Sequence, residues 1–160
     1  MPSIPRSSTP IASAAEVSVW WAEVLSEHDG AARRLSMMWL DSRGRMLARV
    51  LSLDGVPPLP HPTVVRAALQ IHRAFAERPE AAGCHLAYAL SRPGEATLLD
   101  EDRVWAGALE TAMQEHCADA WSLHVAAGGW LTPLVELPPR DSPPGGWPST
   151  PCRSCLTADG

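Results

Sequence analysis

The sequence predicts an α/β fold in which a mixed β-sheet of about five strands is flanked by three helices. The chain has 160 residues, the length of one domain, and 46% of them are hydrophobic, as a globular protein requires. Helical and strand-like patterns follow one another in the order α-β-β-α-β-α-β-β, which is typical of an α/β sandwich. Proline and glycine mark most of the boundaries between these patterns.

The spacing of apolar residues predicts each element, because they recur every three or four positions in a helix and alternate or run continuously in a strand. In chain order the predicted elements are helix 13–30, strand 35–41, strand 46–53, helix 63–78, strand 83–91, helix 100–117, strand 120–126 and strand 130–137.

The first helix is predicted from its two ends. Ser13 and Glu16 have the spacing of a capping box, and Gly30 is a residue type that commonly ends helices. The run that follows, 35–41, is apolar without alternation, as expected of a strand buried on both faces. A polar turn at 42–45 makes the next strand its hairpin partner.

The second half of the domain is divided by proline, aspartate and glycine. Pro79 ends the second helix, and Asp100 is expected to cap the third, whose acidic first turn suits the helix dipole. Gly128 and Gly129 predict a hairpin turn between the last two strands. Pro133 indicates that the final strand lies at an edge of the sheet, because proline cannot donate a ladder hydrogen bond.

The two ends of the chain differ in composition from the domain predicted at 13–137. Residues 1–12 and 138–160 are rich in proline and are expected to be disordered. Cys152 and Cys155 have metal or redox spacing, but a zinc ribbon needs a second pair, so we expect free thiols, with a metal ion shared between two chains as the alternative. There is no membrane-length apolar run and no signal-peptide pattern, which predicts a cytoplasmic protein.

Charge and composition restrict the function classes. All 13 basic residues are arginine, a bias typical of a GC-rich bacterial genome, and without lysine neither a P-loop nor a Schiff base can form. The net charge of −5 argues against general nucleic-acid binding. Residues 31–50 nevertheless carry five arginines against one acid, and residues 95–119 carry seven acids against one arginine. These segments either complement each other within the fold or leave a basic patch for an acidic partner.

Several motifs resemble the JAB/MPN domain family of the RadC-like type, over about residues 13–137. In that family a strand ends in Leu-Asp before a basic turn, a helix carries a Val-Val-x-x-Ala-Leu pattern, a Pro/Gly turn precedes an acidic helix start, and a late strand contains a histidine before a glycine turn. The matching positions are Leu40–Arg45, Val64–Leu69, Pro93-Gly94, Asp100–Asp102, and Leu123–Val125 before Gly128-Gly129. The resemblance implies an α/β sandwich of the kind also found in cytidine deaminases.

The zinc site of that family is missing from this chain. Active members hold zinc with a His-x-His pair and a downstream Asp, and a Glu acts on the bound water. Leu90 and Arg92 stand at the positions of the two histidines, and Arg33 stands at the position of the Glu. Asp102 matches the Asp if one gap is allowed. Neither leucine nor arginine has a lone pair to give to a metal ion.

We therefore expect a non-catalytic JAB-like domain that acts as a protein-binding or scaffolding module, without a cofactor. Its binding groove is predicted at the lost site, lined by Leu90, Arg92 and Asp102, with Arg43 and Arg45 of the first hairpin nearby. No membrane contact is expected, and the protein partner is not identified by the sequence.

Two alternatives remain open. A hydrolase with a relocated metal site would use His85, His124 and Asp102, and a DNA-associated accessory protein would bind DNA in a salt-sensitive way. His72, His85 and His124 all lie in apolar segments. Histidines in such segments are more commonly core groups with a satisfied ring nitrogen than metal ligands.

Overall fold

The structure is a computed structural model that describes residues 10–11, 13–26, 31–115 and 121–136. The elements in these ranges are α1 (Ala14–Ser26), β1 (Arg34–Leu40), β2 (Leu51–Asp54), α2 (Pro62–Ala76), a short 3-10 helix (Pro79–Ala81), β3 (His85–Ser91), α3 (Asp100–Gln114), β4 (Trp121–Ala127) and β5 (Trp130–Val135). The predicted fold class is confirmed, since a mixed five-stranded sheet is flanked by three helices.

The sheet has the strand order β2-β1-β3-β4-β5. Only the central β3–β4 pair is parallel, and the other neighbours are antiparallel. Because side chains alternate along a strand, the two faces of the sheet form separate cores. Leu86, Tyr88 and Leu90 of β3 pack with α2 and α3, whereas Ala87 and Ala89 pack with α1.

Burial follows the position of each strand in the sheet. The apolar runs of β1 and β3 are buried almost throughout, as predicted for strands covered on both faces. The terminal strands β2 and β5 are more exposed. Pro133 lies in β5, so the prediction of an edge strand is confirmed.

The predicted strand 46–53 is shorter in the structure. Met46 forms an isolated bridge with Leu40, and regular pairing resumes only where Leu51 faces Met37. Three residue steps on β1, from Leu40 to Met37, therefore lie opposite five steps on the returning segment, from Met46 to Leu51. The two extra residues force a bulge, and Leu47 packs against the core on the α2–α3 face.

The helix starts follow capping chemistry, with one correction. Ser13 and Glu16 cap α1 reciprocally, because each backbone N–H donates to the side chain of the other, as predicted. Asp100 is not the cap of α3. The helix begins one residue after Leu99, whose N–H donates to the Asp102 carboxylate at 2.8 Å.

The described residues include a small part of the N-terminal segment. Ile11 is buried against the α1 face, and its N–H donates to the Gly44 carbonyl at 2.8 Å. Residues 1–9 and the segment 137–160, with Cys152 and Cys155, lie outside the described ranges. None of the helices in the described ranges combines the length and the apolar content that a bilayer span requires.

The β4–β5 turn packs tightly against the loop that leads into α3. Gly128 and Gly129 both have a positive φ, +57° and +77°, which side-chain-bearing residues rarely adopt. A Cβ atom on Gly128 would lie 2.8 Å from the Ala96 backbone nitrogen and 3.2 Å from the Gly94 carbonyl oxygen. A Cβ atom on Gly129 would meet nothing within 4 Å.

Alanine substitutions at these two glycines should therefore differ in effect. Gly129→Ala carries only the strain of a left-handed conformation and should lower the free energy of unfolding by about 1–2 kcal/mol. Gly128→Ala adds a steric clash and should lower it by roughly 2–4 kcal/mol. Urea denaturation of both variants measures the difference. Equal losses would show that the turn does not press on the loop at 94–96.

Candidate functional site

Two residues that the family resemblance places at a zinc site, Arg92 and Asp102, form a buried ion pair. The Nε atom of Arg92 donates to the two carboxylate oxygens of Asp102 at 2.8 and 3.1 Å, and Nη2 donates to Oδ2 at 2.8 Å. The two side chains are 1% and 0% exposed. They meet because Arg92 directly follows β3 and Asp102 lies in the first turn of α3. A pair of opposite charges therefore occupies the junction between strand and helix.

Arg92 also holds the loop between β3 and α3. Its Nη1 and Nη2 atoms donate to three backbone carbonyl oxygens, those of Pro93 at 3.4 Å, Glu95 at 3.1 Å and Thr97 at 2.7 Å. All three guanidinium nitrogens thus have acceptors inside the protein. A buried cation needs this degree of compensation, because an unpaired one loses its hydration with nothing in return.

Arg33 lies beside this pair. Its Nη2 atom forms an ion pair with Glu101 at 2.6 Å, and its positive charge acts on Asp102. Burial raises the pKa of the Asp102 carboxyl. The hydrogen bonds from Arg92 and from the Leu99 N–H, together with the charges of Arg92 and Arg33, outweigh burial and lower the pKa below its ordinary value of 3.8.

Three positions that the family resemblance assigns to one catalytic centre therefore converge. They are Arg33, Arg92 and Asp102, which the resemblance places at the Glu, a His and the Asp of a zinc site. The chemistry of this centre is different from that of a metal site. Oδ2 of Asp102 accepts three hydrogen bonds and Oδ1 accepts one. A cationic guanidinium at this distance also repels a metal ion.

Leu90 and Asp102 do not line an open groove. Leu90 is fully buried in the core on the α2–α3 face, and Asp102 is 0% exposed. Arg92 is 2% exposed, but it borders a cleft at the end of β3. Of the three residues expected to line a groove, Arg92 alone does so.

Arg43 and Arg45 lie far from this ion pair. The antiparallel register of β1 and β3 places Arg34 opposite Ser91 and Leu40 opposite His85. The turn that follows Leu40 is therefore at the other end of the sheet from Arg92, roughly 20 Å away at about 3.3 Å per residue. The expectation of proximity is corrected, because the seven residues of β1 separate the two sites.

A cleft opens at the carboxyl ends of the parallel strands β3 and β4, and its lining includes one residue of the predicted groove, Arg92. It has a volume of about 660 Å³ and lies between α1 and the β4–β5 turn. Its lining includes Leu25, Ser91, Arg92, Ala126, Gly129 and Trp130. Trp130 is 71% exposed. Ligands of α/β proteins commonly bind at the carboxyl ends of adjacent parallel strands, and β3 and β4 are such a pair.

Two histidines are buried on the α1 face of the sheet. The Nε2 atom of His85 lies 3.2 Å from the Ser122 hydroxyl, and the Nε2 atom of His124 lies 2.9 Å from the Ser18 hydroxyl. Burial and the nearby His124 lower the pKa of His85 to about 3. Burial lowers the pKa of His124 to about 4. Both rings are therefore neutral at pH 7.

The Ser18–His124 contact does not have the polarity of a catalytic dyad. Ser18 uses its single hydroxyl hydrogen on the Ala14 carbonyl oxygen, at 3.1 Å. His124 then donates from Nε2 to the Ser18 oxygen, and its Nδ1 atom is a buried acceptor with no partner among the described residues. A general base must instead accept the proton of the nucleophile.

The residues proposed for a relocated metal site are on opposite faces of the sheet. His85 and His124 face α1, whereas Asp102 lies in α3 on the other face. His72 is also on that other face, where its Nδ1 atom accepts a hydrogen bond from the Trp39 indole at 3.1 Å. Among the residues that the structure describes, no three His, Cys, Asp or Glu side chains are grouped to hold a metal.

The buried histidines predict a loss of stability in mild acid. In the unfolded chain the two histidine rings become protonated below about pH 6.5. In the folded protein they stay neutral down to about pH 4. Their contribution is therefore complete above pH 6.5 and should fall by roughly 1.4 kcal/mol per pH unit and per histidine between these values. Urea denaturation from pH 7.5 to 4.5 measures this slope.

The variant His124→Gln separates this effect from general acid denaturation. Glutamine keeps a hydrogen bond to Ser18 and does not titrate, so the slope of stability against pH should fall to about half. An unchanged slope would mean that His124 does not titrate as its burial requires.

The ion pair predicts a non-additive response to mutation. Arg92→Met leaves the Asp102 charge buried without its partner and should lower the free energy of unfolding by about 3–5 kcal/mol. Adding Asp102→Asn removes that charge and keeps an acceptor for the Leu99 N–H, so the double variant should regain at least about 1 kcal/mol. Urea denaturation at pH 7 compares the two. A double variant less stable than Arg92→Met would contradict a compensated buried pair.

No protein-family model matches the chain, and no curated protein matches it. The family resemblance therefore rests on the sequence motifs of this chain.

Proposed function

We propose that the protein is a non-catalytic JAB/MPN domain of the RadC-like type that acts as a protein-binding or scaffolding module in the bacterial cytoplasm. The observation that carries this proposal is the Arg92–Asp102 ion pair, with both side chains almost completely buried. In the family, this position holds a metal cation next to an aspartate. Here an arginine side chain provides the positive charge as part of the chain itself.

The convergence of Arg33 on the same centre supports the proposal. Arg33 and Asp102 are 69 positions apart in sequence (102 − 33), and their proximity is not a consequence of local structure. It is expected if the strand that follows Arg33 and the helix that contains Asp102 are arranged as in a JAB domain. The two arginines remove both the metal ligand and the base that hydrolysis requires.

The two alternative functions have less support. A relocated metal site would require His85, His124 and Asp102 on one face of the sheet, and they are divided between two faces. A DNA-associated role has to overcome a net charge of −5.

Restoring the missing ligands tests the proposal directly. The double variant Leu90→His/Arg92→His, with Asp102 retained, would supply two imidazoles and a carboxylate, the ligand set of an open zinc site. After dialysis against zinc and then against buffer, metal analysis should find one zinc ion per chain in this variant and none in the wild type. Addition of Asp102→Asn should remove the ion.

The single variant Arg92→His is the matched control, because one imidazole and one carboxylate hold zinc much more weakly. A double variant that is folded by circular dichroism and binds no zinc would contradict the JAB-type arrangement. A wild-type protein that carries one zinc ion, lost in His124→Ala, would instead favour a hydrolase with a relocated site.

A further inference from the structure

The five arginines of residues 31–50 fall into two groups. Arg33 and Arg34 form ion pairs with Glu101 and Asp54. The other three are exposed, and none of their side chains has an ion pair or a hydrogen bond to a described residue. They are Arg43, Arg45 and Arg49. The acidic residues of the fold therefore neutralise only part of this basic segment.

Hydrogen bonds of Asp41 and of the backbone fix the turn that carries Arg43 and Arg45. Oδ1 of Asp41 accepts the backbone N–H groups of both arginines, at 2.8 and 2.9 Å. The Asp41 N–H donates to the Arg45 carbonyl at 2.8 Å, and the Ile11 N–H donates to the Gly44 carbonyl. The one acid of the segment is thus used to build the turn, and the arginine side chains extend from a fixed backbone. Pre-organisation of this kind reduces the entropy lost on binding.

Arg49 is exposed and follows the turn on the chain segment that leads to the edge strand β2. It lies in the bulged segment between the Leu40–Met46 bridge and β2. Leu51, two positions after Arg49, is 44% exposed on this edge strand. We call the surface formed by Arg43, Arg45 and Arg49 the basic edge. It offers three exposed arginines, and an exposed leucine follows them within residues 43–51.

We propose that the basic edge binds an acidic segment of a partner protein, a short run of Asp or Glu side chains. This inference names the partner chemistry of the binding module proposed above and rests on that function. Without these three arginines the net charge of −5 would be −8 (−5 − 3), so the basic edge is a positive area on an otherwise acidic protein. A short acidic peptide can stay within this area, and arginine binds carboxylates in a bidentate geometry.

A nucleic acid fits this surface less well. Its phosphate chain continues beyond three arginines and would meet the acidic remainder of the protein within a Debye length of about 8 Å. Single strands also bind by stacking bases on exposed aromatic rings. The exposed aromatic side chain among the described residues, Trp130, is in β5 at the opposite edge of the sheet.

Binding of fluorescein-labelled octaglutamate to the full chain tests the proposal, with fluorescence anisotropy at low salt as the measurement. We expect saturable binding to the wild type. Each single change, Arg43→Gln, Arg45→Gln or Arg49→Gln, should weaken it about two- to fivefold, and the triple change at least about tenfold. These exposed side chains have no ion pair or hydrogen bond to a described residue, so circular dichroism and the urea midpoint should remain as in the wild type.

The control is a pair of exposed arginines elsewhere on the surface. Arg66→Gln/Arg103→Gln changes the net charge by the same amount as Arg43→Gln/Arg45→Gln, and it should weaken binding less than about twofold. Equal weakening by the two double variants would mean that binding depends on net charge alone, and it would overturn the proposal. A wild type that does not bind octaglutamate would also overturn it.

A single-stranded oligothymidylate of equal charge is the second probe. Tighter binding of this probe through the same three arginines would overturn the proposal in favour of a nucleic-acid surface. The zinc experiment on Leu90 and Arg92 does not involve the basic edge, so a failure here is distinct from a failure of the JAB-type assignment.

Discussion

The ion pair between Arg92 and Asp102 fixes the end of β3 to the first turn of α3, and Arg92 also binds the loop that connects them. Arg92 extends from the end of β3, Asp102 belongs to the first turn of α3, and the guanidinium binds the carbonyl groups of the loop between them. The shape of that loop then sets the position of the β4–β5 turn, because Gly128 contacts the backbone at 94–96. The cleft at the ends of β3 and β4 is thus shaped, through this loop, by one buried charge pair.

A buried charge pair has a particular energetic character. Removing two ions from water is unfavourable, and their attraction repays this only when hydrogen bonds satisfy the remaining donors and acceptors. Arg92 and Asp102 meet that condition, with the Leu99 N–H and the loop carbonyls as additional partners. The pair therefore adds little net stability, but either partner alone would be strongly destabilising. This requirement fixes one arrangement of strand, loop and helix.

An arginine and a zinc ion would do different things at this position. A bound metal ion exchanges with solvent, keeps an open coordination position and lowers the pKa of its water. A guanidinium is covalently attached, holds its proton at any physiological pH and offers only donors. The same location in the fold thus provides structure where a metal would provide reactivity. The exposed arginines of the basic edge, at the other end of the sheet, use the same chemical group without internal partners.

Local patterns in the sequence determined much of the architecture. The apolar runs of β1 and β3, the capping box at Ser13, the glycine turn at 128–129 and the edge position of Pro133 each depend on residues close together in the chain. That Leu90 and Arg92 cannot ligate a metal ion also follows from side-chain chemistry alone. Contacts between distant residues were decided only by the tertiary structure.

The sequence could not indicate that Arg33 meets Glu101, that Asp102 is buried by Arg92, or that His85 and Asp102 lie on opposite faces of the sheet. It also could not place Arg43 and Arg92 at opposite ends of the sheet. Strand order and register set these distances, and they arise from the packing of the whole chain. A charged side chain has no periodic signature, so its partner is known only once the strands and helices are in place.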